Sequence, residues 1–359
     1  MQQKVTDQTF EGQSIYVGID VHRKDFKVSV MVGNVFYKTF SAPAKAESIG
    51  NYLRNNFPGA SYYCAYEAGF SGFWLHRALV RMGIHSIVVN AADIPTTDKE
   101  RTQKEDLRDS RKIVQCLRLG QLKAIHVPSE RIQEDRALIR IRERIVRDLT
   151  RNKNRIKSLL YFQGIEYPQR FASTKTHWSQ AFMRWLETVP FEHHSGRLGL
   201  KAYLDQVRDQ RALLLRLNRQ IRELSTSSDY TGNFKLLTSV PGIGTLTAIK
   251  LLTELESIDR FRNFDQLCSY VGFVPSTRSS GENRVDTGIT PRRNSPLRGA
   301  LIESAWVAIR NDPALLATYQ KHCKAMNGNK AIVRVGKKLL NRVMHVLRKQ
   351  EPYEKCVVR

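Results

Sequence analysis

The 359 residues carry 58 Lys and Arg against 34 Asp and Glu, a net charge of +24 spread along the chain, and 41% of them are apolar. That length and apolar content suffice for two or three buried cores and exclude a small stapled scaffold. The charge excess points to a polyphosphate partner, against the alternatives of a merely basic surface or a ribosomal or membrane-surface role, and no apolar run approaches the roughly 20 residues of a bilayer span.

Met1 to Gln13 is polar and mixed in charge. Residues 1–14 read as a tail without a secretory leader, so the protein is expected to stay where it is made. Tyr16 to Asp20, Phe26 to Val32 and Val35 to Phe40 are short β-rich runs separated by polar or glycine-containing turns, which predicts a meander. A helix over Ala44 to Phe57, a strand over Ser61 to Glu67, a helix over Phe73 to Met82 and a strand over His85 to Val89 follow. After a polar loop at 93–105, a helix is expected from Asp106 to Leu122. Three hairpin strands followed by αβαβα is an RNase H-like order, in which acids at strand ends and on the last helix converge on one edge.

Four acids occupy such positions. Asp20 closes the apolar run Tyr16-Val17-Gly18-Ile19, where a carboxylate is costly to desolvate without a partner. Glu67 ends the second strand-like run, and Asp106 and Asp109 share one helix face. Two-metal phosphoryl chemistry needs several carboxylates around closely spaced cations, and this set meets that need. Each acid alone is as well explained as a turn cap or a favourable charge near a helix N-terminus.

From Arg131 to Leu160, Leu138, Ile141, Ile145, Leu149 and Ile156 recur at helical spacing among basic residues such as Arg151, Lys153 and Arg155. A second long helix is expected over Leu200 to Leu224, and the Gly164 to Gly196 insert has Trp178 and Trp185 to anchor a small core. The pair reads either as a coiled coil, antiparallel or dimerising, or as an intramolecular spacer. Ser225 to Gly232 reads as a linker to a mainly helical C-terminal domain.

In that domain Pro241-Gly242-Ile243-Gly244 lies between helical patterns. Gly242 and Gly244 would let backbone N–H groups at a helix start approach a phosphate, as in a helix-hairpin-helix module; the plain reading is a packing corner. Downstream, Ser279-Ser280-Gly281 stands among Arg278, Arg284, Arg292, Arg293 and Arg298. A serine ringed by guanidinium groups suits nucleophilic attack on phosphorus, although on chemistry alone a turn whose arginines hold backbone phosphates explains the stretch as well. Cys64, Cys116, Cys268, Cys323 and Cys356 form no CxxC pair and no zinc spacing, so they read as reduced cytoplasmic thiols.

In combination and order, Gly18-Ile19-Asp20-Val21-His22, Tyr66-Glu67-Ala68, Asp106-Leu107-Arg108-Asp109, Pro241-Gly242-Ile243-Gly244, Tyr270-Val271-Gly272-Phe273-Val274-Pro275 and Ser279-Ser280-Gly281 with Gly288-Ile289-Thr290 and Leu297-Arg298 resemble the DEDD transposases of bridge-RNA-guided bacterial insertion sequences. The resemblance covers about residues 15–350. It departs at Arg293, where the family usually has a glycine before Asn294.

The resemblance implies a RuvC-like DEDD domain at 15–125, a helical coiled-coil spacer with insert at 126–228, a C-terminal serine transposase domain at 229–350 and a tail at 351–359. It implies catalytic and metal-binding roles for Asp20, Glu67, Asp106 and Asp109 with Mg²⁺ or Mn²⁺, and a covalent phosphoserine link at Ser280 in preference to Ser279. Double-stranded DNA at element ends and target, a structured guide RNA, a homodimer or homotetramer and a nucleoid-associated bacterial location follow from it. The competing readings are a RuvC-like nuclease or junction resolvase that hydrolyses DNA without an adduct, and a non-catalytic nucleic-acid-binding protein.

Overall fold

Ser14–Val21 (β1) sits mid-sheet because Ile15, Val17 and Ile19 are fully buried on one face, while Tyr16, Gly18 and Asp20 alternate onto the other. The computed structural model describes residues 9–95, 106–280, 283–289 and 294–355, with 106–108, 275–280 and 283–289 described by backbone alone. Contacts divide the chain into two units, Met1–Pro128 and Ser129–Arg359.

In the first unit, Asp25–Val32 (β2) and Val35–Pro43 (β3) continue from β1 as an antiparallel meander, and Ser61–Glu67 (β4) and His85–Val89 (β5) extend the other side in parallel, giving the order β3-β2-β1-β4-β5. Helices Ala46–Asn56 (α1) and Trp74–Arg81 (α2) supply Ile49, Leu53, Leu75 and Leu79 to a core with Ile15, Val17 and Ile19. The opposite face receives Asp106–Arg118 (α3). A Cβ at Gly18 would lie 2.2 Å from the Ser110 carbonyl oxygen and 2.5 Å from the Val114 nitrogen, so α3 rests on β1 where no side chain intervenes.

The helix expected to reach Leu122 stops at Arg118. Gly120 takes a left-handed conformation (φ 65°), and Ile125 then donates its N–H to the Val88 carbonyl on the sheet. A 3₁₀ turn at Ala91–Asp93 leads into the expected 93–105 loop, of which 96–105 lie outside the described residues.

The second unit is built on Glu130–Phe162 (α4) and His194–Ser225 (α6), packed antiparallel within the chain. The start of α4 and the end of α6 give Ile132, Ile139 and Ile221 to one core; the other ends give Ile156, Leu160, Leu200 and Leu204 to a second core with the insert. Of the two arrangements left open for these helices, the pairing seen is intramolecular. Within the second core, between Leu149 and Ile156, the buried Asn152 donates to the Gln210 side-chain oxygen at 3.1 Å. In the insert the core centre is Phe182, fully buried on Gln180–Thr188 (α5), whereas Trp178 and Trp185 are only partly buried around it. The stretch expected as a linker is a packed turn: Ser225 is buried, and the Tyr230 hydroxyl donates to Asp135 at 2.6 Å.

Thr231–Ser239 (α7), Thr245–Leu255 (α8), Phe264–Val271 (α9), a hairpin of Pro275–Ser280 (β6) and Asn283–Ile289 (β7), Ser295–Asn311 (α10), Pro313–Cys323 (α11) and Gly328–Lys349 (α12) complete the unit. Asp312 caps α11 through the Leu315 N–H. Burial alone would raise its carboxyl pKa, but hydrogen bonds from Tyr353 and Leu315 and the Arg342 guanidinium hold it below its usual range. Among the described residues, no helix is long and apolar enough to cross a membrane.

Gly18 and Gly242 carry the tightest packing. Gly242 has φ 84°, and a Cβ there would lie 2.2 Å from the Ser304 carbonyl oxygen on α10. Alanine at either site is expected to cost about 3 kcal/mol or more through backbone overlap. Hydrogen exchange read by mass spectrometry should show lost protection in β1 and α3 for Gly18→Ala, and in α7, α8 and α10 for Gly242→Ala; unchanged protection would contradict the packing.

Candidate functional site: an acid edge and a serine-bearing hairpin

The register Ile19↔Tyr66 in the parallel β1–β4 pair carries Asp20 and Glu67 to neighbouring strand ends. Side chains opposite one another in such a pair share a face, as the stacked rings of Tyr16 and Tyr63 do. Asp20, Glu67 and Gly18 therefore lie on the α3 face. The direction of α3 is set by three hydrogen bonds: Ser110 with Ser29, Arg111 to Thr39, and Arg118 to Asn34 at the β2–β3 turn. They run α3 antiparallel to β1, with its C-terminus near the start of that strand. Its N-terminus thus projects toward the end of β1. From Ser110 over Gly18, four residues back along a helix is about 6 Å, and two residues forward along a strand is about 6.6 Å. The start of α3, where Asp106 and Asp109 stand in the sequence, therefore runs toward the edge holding Asp20 and Glu67.

Asp20 is partly exposed and its Oδ2 lies 3.0 Å from Nε2 of His22. The spacing of two between Asp20 and His22 is the sequence signal for this same-face pair. Glu67 is exposed at the strand end, and Ala68 continues the pairing by donating to the Val89 carbonyl. Behind it the fully buried Tyr66 donates its hydroxyl to the Gly72 carbonyl and accepts the His76 N–H, which fixes the turn after Glu67; burial pushes this hydroxyl up to about 12. Burial, with the nearby Arg77, lowers the His76 pKa, and burial raises that of the Cys64 thiol.

In the second unit, Ser280 is the last residue of β6 and pairs with Asn283, placing it at the hairpin tip. Ser279 pairs with Arg284 and Arg278 with Val285. The serine stretch is thus a β-hairpin in an otherwise helical region, and its side chains, with residues 281–282 and 290–293 including Arg292 and Arg293, lie outside the described residues.

The return from the hairpin is anchored at Asn294, whose N–H donates to the Tyr270 carbonyl, whose Oδ1 caps α10 at Leu297, and whose Nδ2 donates to Glu254 at 2.9 Å. Glu254 is buried on α8 and accepts a bidentate pair from Arg140 of α4 at 2.8 and 2.9 Å, with Arg136 at 3.8 Å. Burial would lower the Arg140 pKa, but Glu254 more than offsets this. Beside it, buried Lys250 reaches Glu143 at 2.5 Å and the Pro296 carbonyl at 2.6 Å. Sequence reasoning missed this network. Acid and base within the apolar run of α8 were its signal, since buried charges need partners.

Comparison with known proteins follows the same two regions. The family described as Transposase, DEDD_Tnp_IS110, matches residues 17–163, and the Transposase IS116/IS110/IS902 family matches residues 234–320. The chain is 30% identical over 303 residues to y4rJ of Sinorhizobium fredii, named as a transposase, covering 76% of this chain and 74% of that one. The chain belongs to the IS110 family of transposases.

This IS110-family transposase is also 26% identical over 305 residues to the transposase for insertion sequence element IS1533 of Leptospira borgpetersenii, covering 82% of this chain and 85% of that one. A further relative, y4qE of Sinorhizobium fredii, is 30% identical over 245 residues, which is 68% of this chain, and the chain spans 58% of its length. The first matched region contains Asp20, Glu67, Asp106 and Asp109, and the second contains Gly242, Gly244 and Ser280. A DEDD transposase domain carries an expectation of divalent-metal dependence. Among the described residues, which do not include the Asp106 side chain, no group of three or more His, Cys, Asp or Glu stands ready to hold a metal ion. Of the other expected nucleic-acid contacts, Arg151 and Arg155 are exposed on α4 and Lys153 is half-buried over the Trp178 ring. Gly242 is taken up by packing against α10, whereas Gly244, at the start of α8, faces open space.

Proposed function

We propose that this IS110-family transposase exchanges DNA strands through a covalent serine–DNA intermediate, using an RNase H-like (RuvC-like) acid edge and a structured guide RNA that selects the DNA. The observation that carries the reading is the convergence of Asp20, Glu67 and the start of α3 on one face at one edge of a sheet ordered β3-β2-β1-β4-β5. Carboxylate oxygens fit a hard divalent cation such as Mg²⁺ or Mn²⁺, and Asp20, Glu67, Asp106 and Asp109 would hold it. Bound there, the cation supplies positive charge where phosphate oxygens grow more negative.

The remaining chemistry belongs to the chain. The Oγ of Ser280 forms a bond to phosphorus as a phosphorus–deoxyribose oxygen bond breaks, and the hydroxyl proton ends on the departing sugar oxygen. One phosphodiester is exchanged for another, so a sugar hydroxyl of a second strand can reverse the step without ATP, in keeping with a sequence that has no Walker motif. Arg278, Arg284, Arg292, Arg293 and Arg298 donate to phosphate oxygens. Residues 15–125 act as the acid-bearing domain, 126–228 as the spacer and 229–350 as the serine domain. Exchange between two duplexes requires several active centres, which favours a homodimer or homotetramer working at the bacterial nucleoid.

The test is strand exchange between a plasmid bearing an element end and a target plasmid, with Mg²⁺ and guide RNA. Asp20→Asn is expected to lose exchange by about 10³-fold or more while binding DNA as wild type does. Exchange at the wild-type rate would overturn the acid edge.

A further inference from the structure

We infer that the insert-bearing end of the stem formed by α4 and α6 holds an unpaired stretch of nucleic acid, RNA or DNA, by stacking its bases on Tyr161 and Phe162. These two rings are 89% and 84% exposed at the last turn of α4, although large aromatic side chains usually find cover. They extend an exposed stripe of the helix that begins with Arg151 and Arg155 and passes through Ser158, spacings that keep all five on one side. With Tyr203 of α6 these residues line an open groove of about 910 Å³.

The charge around the groove has one dominant sign. The charged residues that line it, Arg151 and Arg155, are both cations. Asp148 pairs with Arg151, and Arg155 donates to the Asn152 side-chain oxygen at 2.8 Å; both are contacts that a phosphate can displace. Cations beside open aromatic faces suit a strand whose phosphates run along the arginines while its bases lie on the rings. A duplex keeps its base faces stacked inside and offers nothing to the rings. A second copy docking the same face would set Arg151 and Arg155 against their own counterparts, so like charge disfavours self-association here.

The inference shares with the strand-exchange reading only the premise that the stem's cations meet nucleic acid, and duplex binding tests that premise by itself. Fluorescence anisotropy on the full chain would compare labelled single-stranded RNA, single-stranded DNA and a duplex of equal length. Tyr161→Ala with Phe162→Ala is expected to weaken single-strand binding about tenfold or more and to leave duplex binding and melting temperature unchanged, with Tyr161→Trp and Phe162→Trp restoring it. Whichever strand shows the larger loss identifies the source of the ligand. Single-strand affinity equal to wild type in the alanine variant would overturn the inference, as would a wild type that binds duplex but no single strand. A change of oligomeric state in light scattering without a binding change would assign the rings to a protein interface instead. Failure of wild type to bind any nucleic acid would sink both readings, whereas loss confined to the single strand would leave strand exchange untouched.

Discussion

Ser280→Ala is expected to abolish the covalent protein–DNA adduct that the proposed strand exchange would leave on a denaturing gel when the transposase is mixed with element-end and target DNA, guide RNA and Mg²⁺. The expected loss is at least about 10³-fold, because no hydroxyl remains to bond phosphorus. Ser279→Ala provides the internal control. Consecutive strand positions belong to opposite faces of a hairpin, and Ser279 is the position paired with Arg284, whereas Ser280 closes the strand at its tip. Ser279→Ala should therefore keep most of the adduct. Under the proposed strand exchange, Asp20→Ala should also lose it. An adduct that survives Ser280→Ala and disappears with Ser279→Ala would move the nucleophile one residue back. Cleavage with free ends and no adduct, under conditions where binding is demonstrated, would favour a hydrolytic nuclease.

Arg140→Ala is expected to destabilise the C-terminal unit by about 3 kcal/mol, measured as a shift in urea unfolding. Removing one partner of a buried ion pair typically costs about 3–5 kcal/mol because the other charge stays buried and uncompensated. The low end applies here, since Arg136 remains 3.8 Å from Glu254 and Asn294 still donates to it. Glu254→Gln should cost less, because the Arg140 side chain is half exposed and water can solvate it. Replacing both with methionine should be near neutral in stability while releasing the Asn294 amide from its acceptor. Strand exchange reduced in that stable double variant would identify Glu254 as a positioning residue for the hairpin. Full exchange would show that the network serves the fold alone.

The first unit was legible almost strand by strand, since β1, β4 and β5 carry periodic apolar residues whose ends are marked by Asp20, Glu67 and Gly83. The end of α3 was not, because Leu119 and Leu122 continue a helical pattern that Gly120 interrupts with its left-handed turn. The hairpin at Ser280 was also missed as a strand pair, its Ser, Arg and Gly content reading locally as a turn. In the stem, periodicity announced two helices but could not choose between pairing within a chain and pairing between chains, because an apolar stripe looks the same for either partner.

By itself the sequence determined the alternation of strands and helices, the excess of positive charge, the acids that close β1 and β4 and open α3, and the order of motifs that marks an IS110-family transposase. These are local or ordered features, written in spacing and composition. Only the tertiary structure decided that α3 lies antiparallel on the bare backbone of Gly18, with its N-terminus running toward the strand ends of Asp20 and Glu67. It alone also decided that Arg140 reaches across 114 residues to Glu254, and that Tyr161 and Phe162 stand uncovered while Phe182 is enclosed. Such contacts depend on which surfaces meet once the chain is packed, and residue spacing along one segment carries no record of its distant partner.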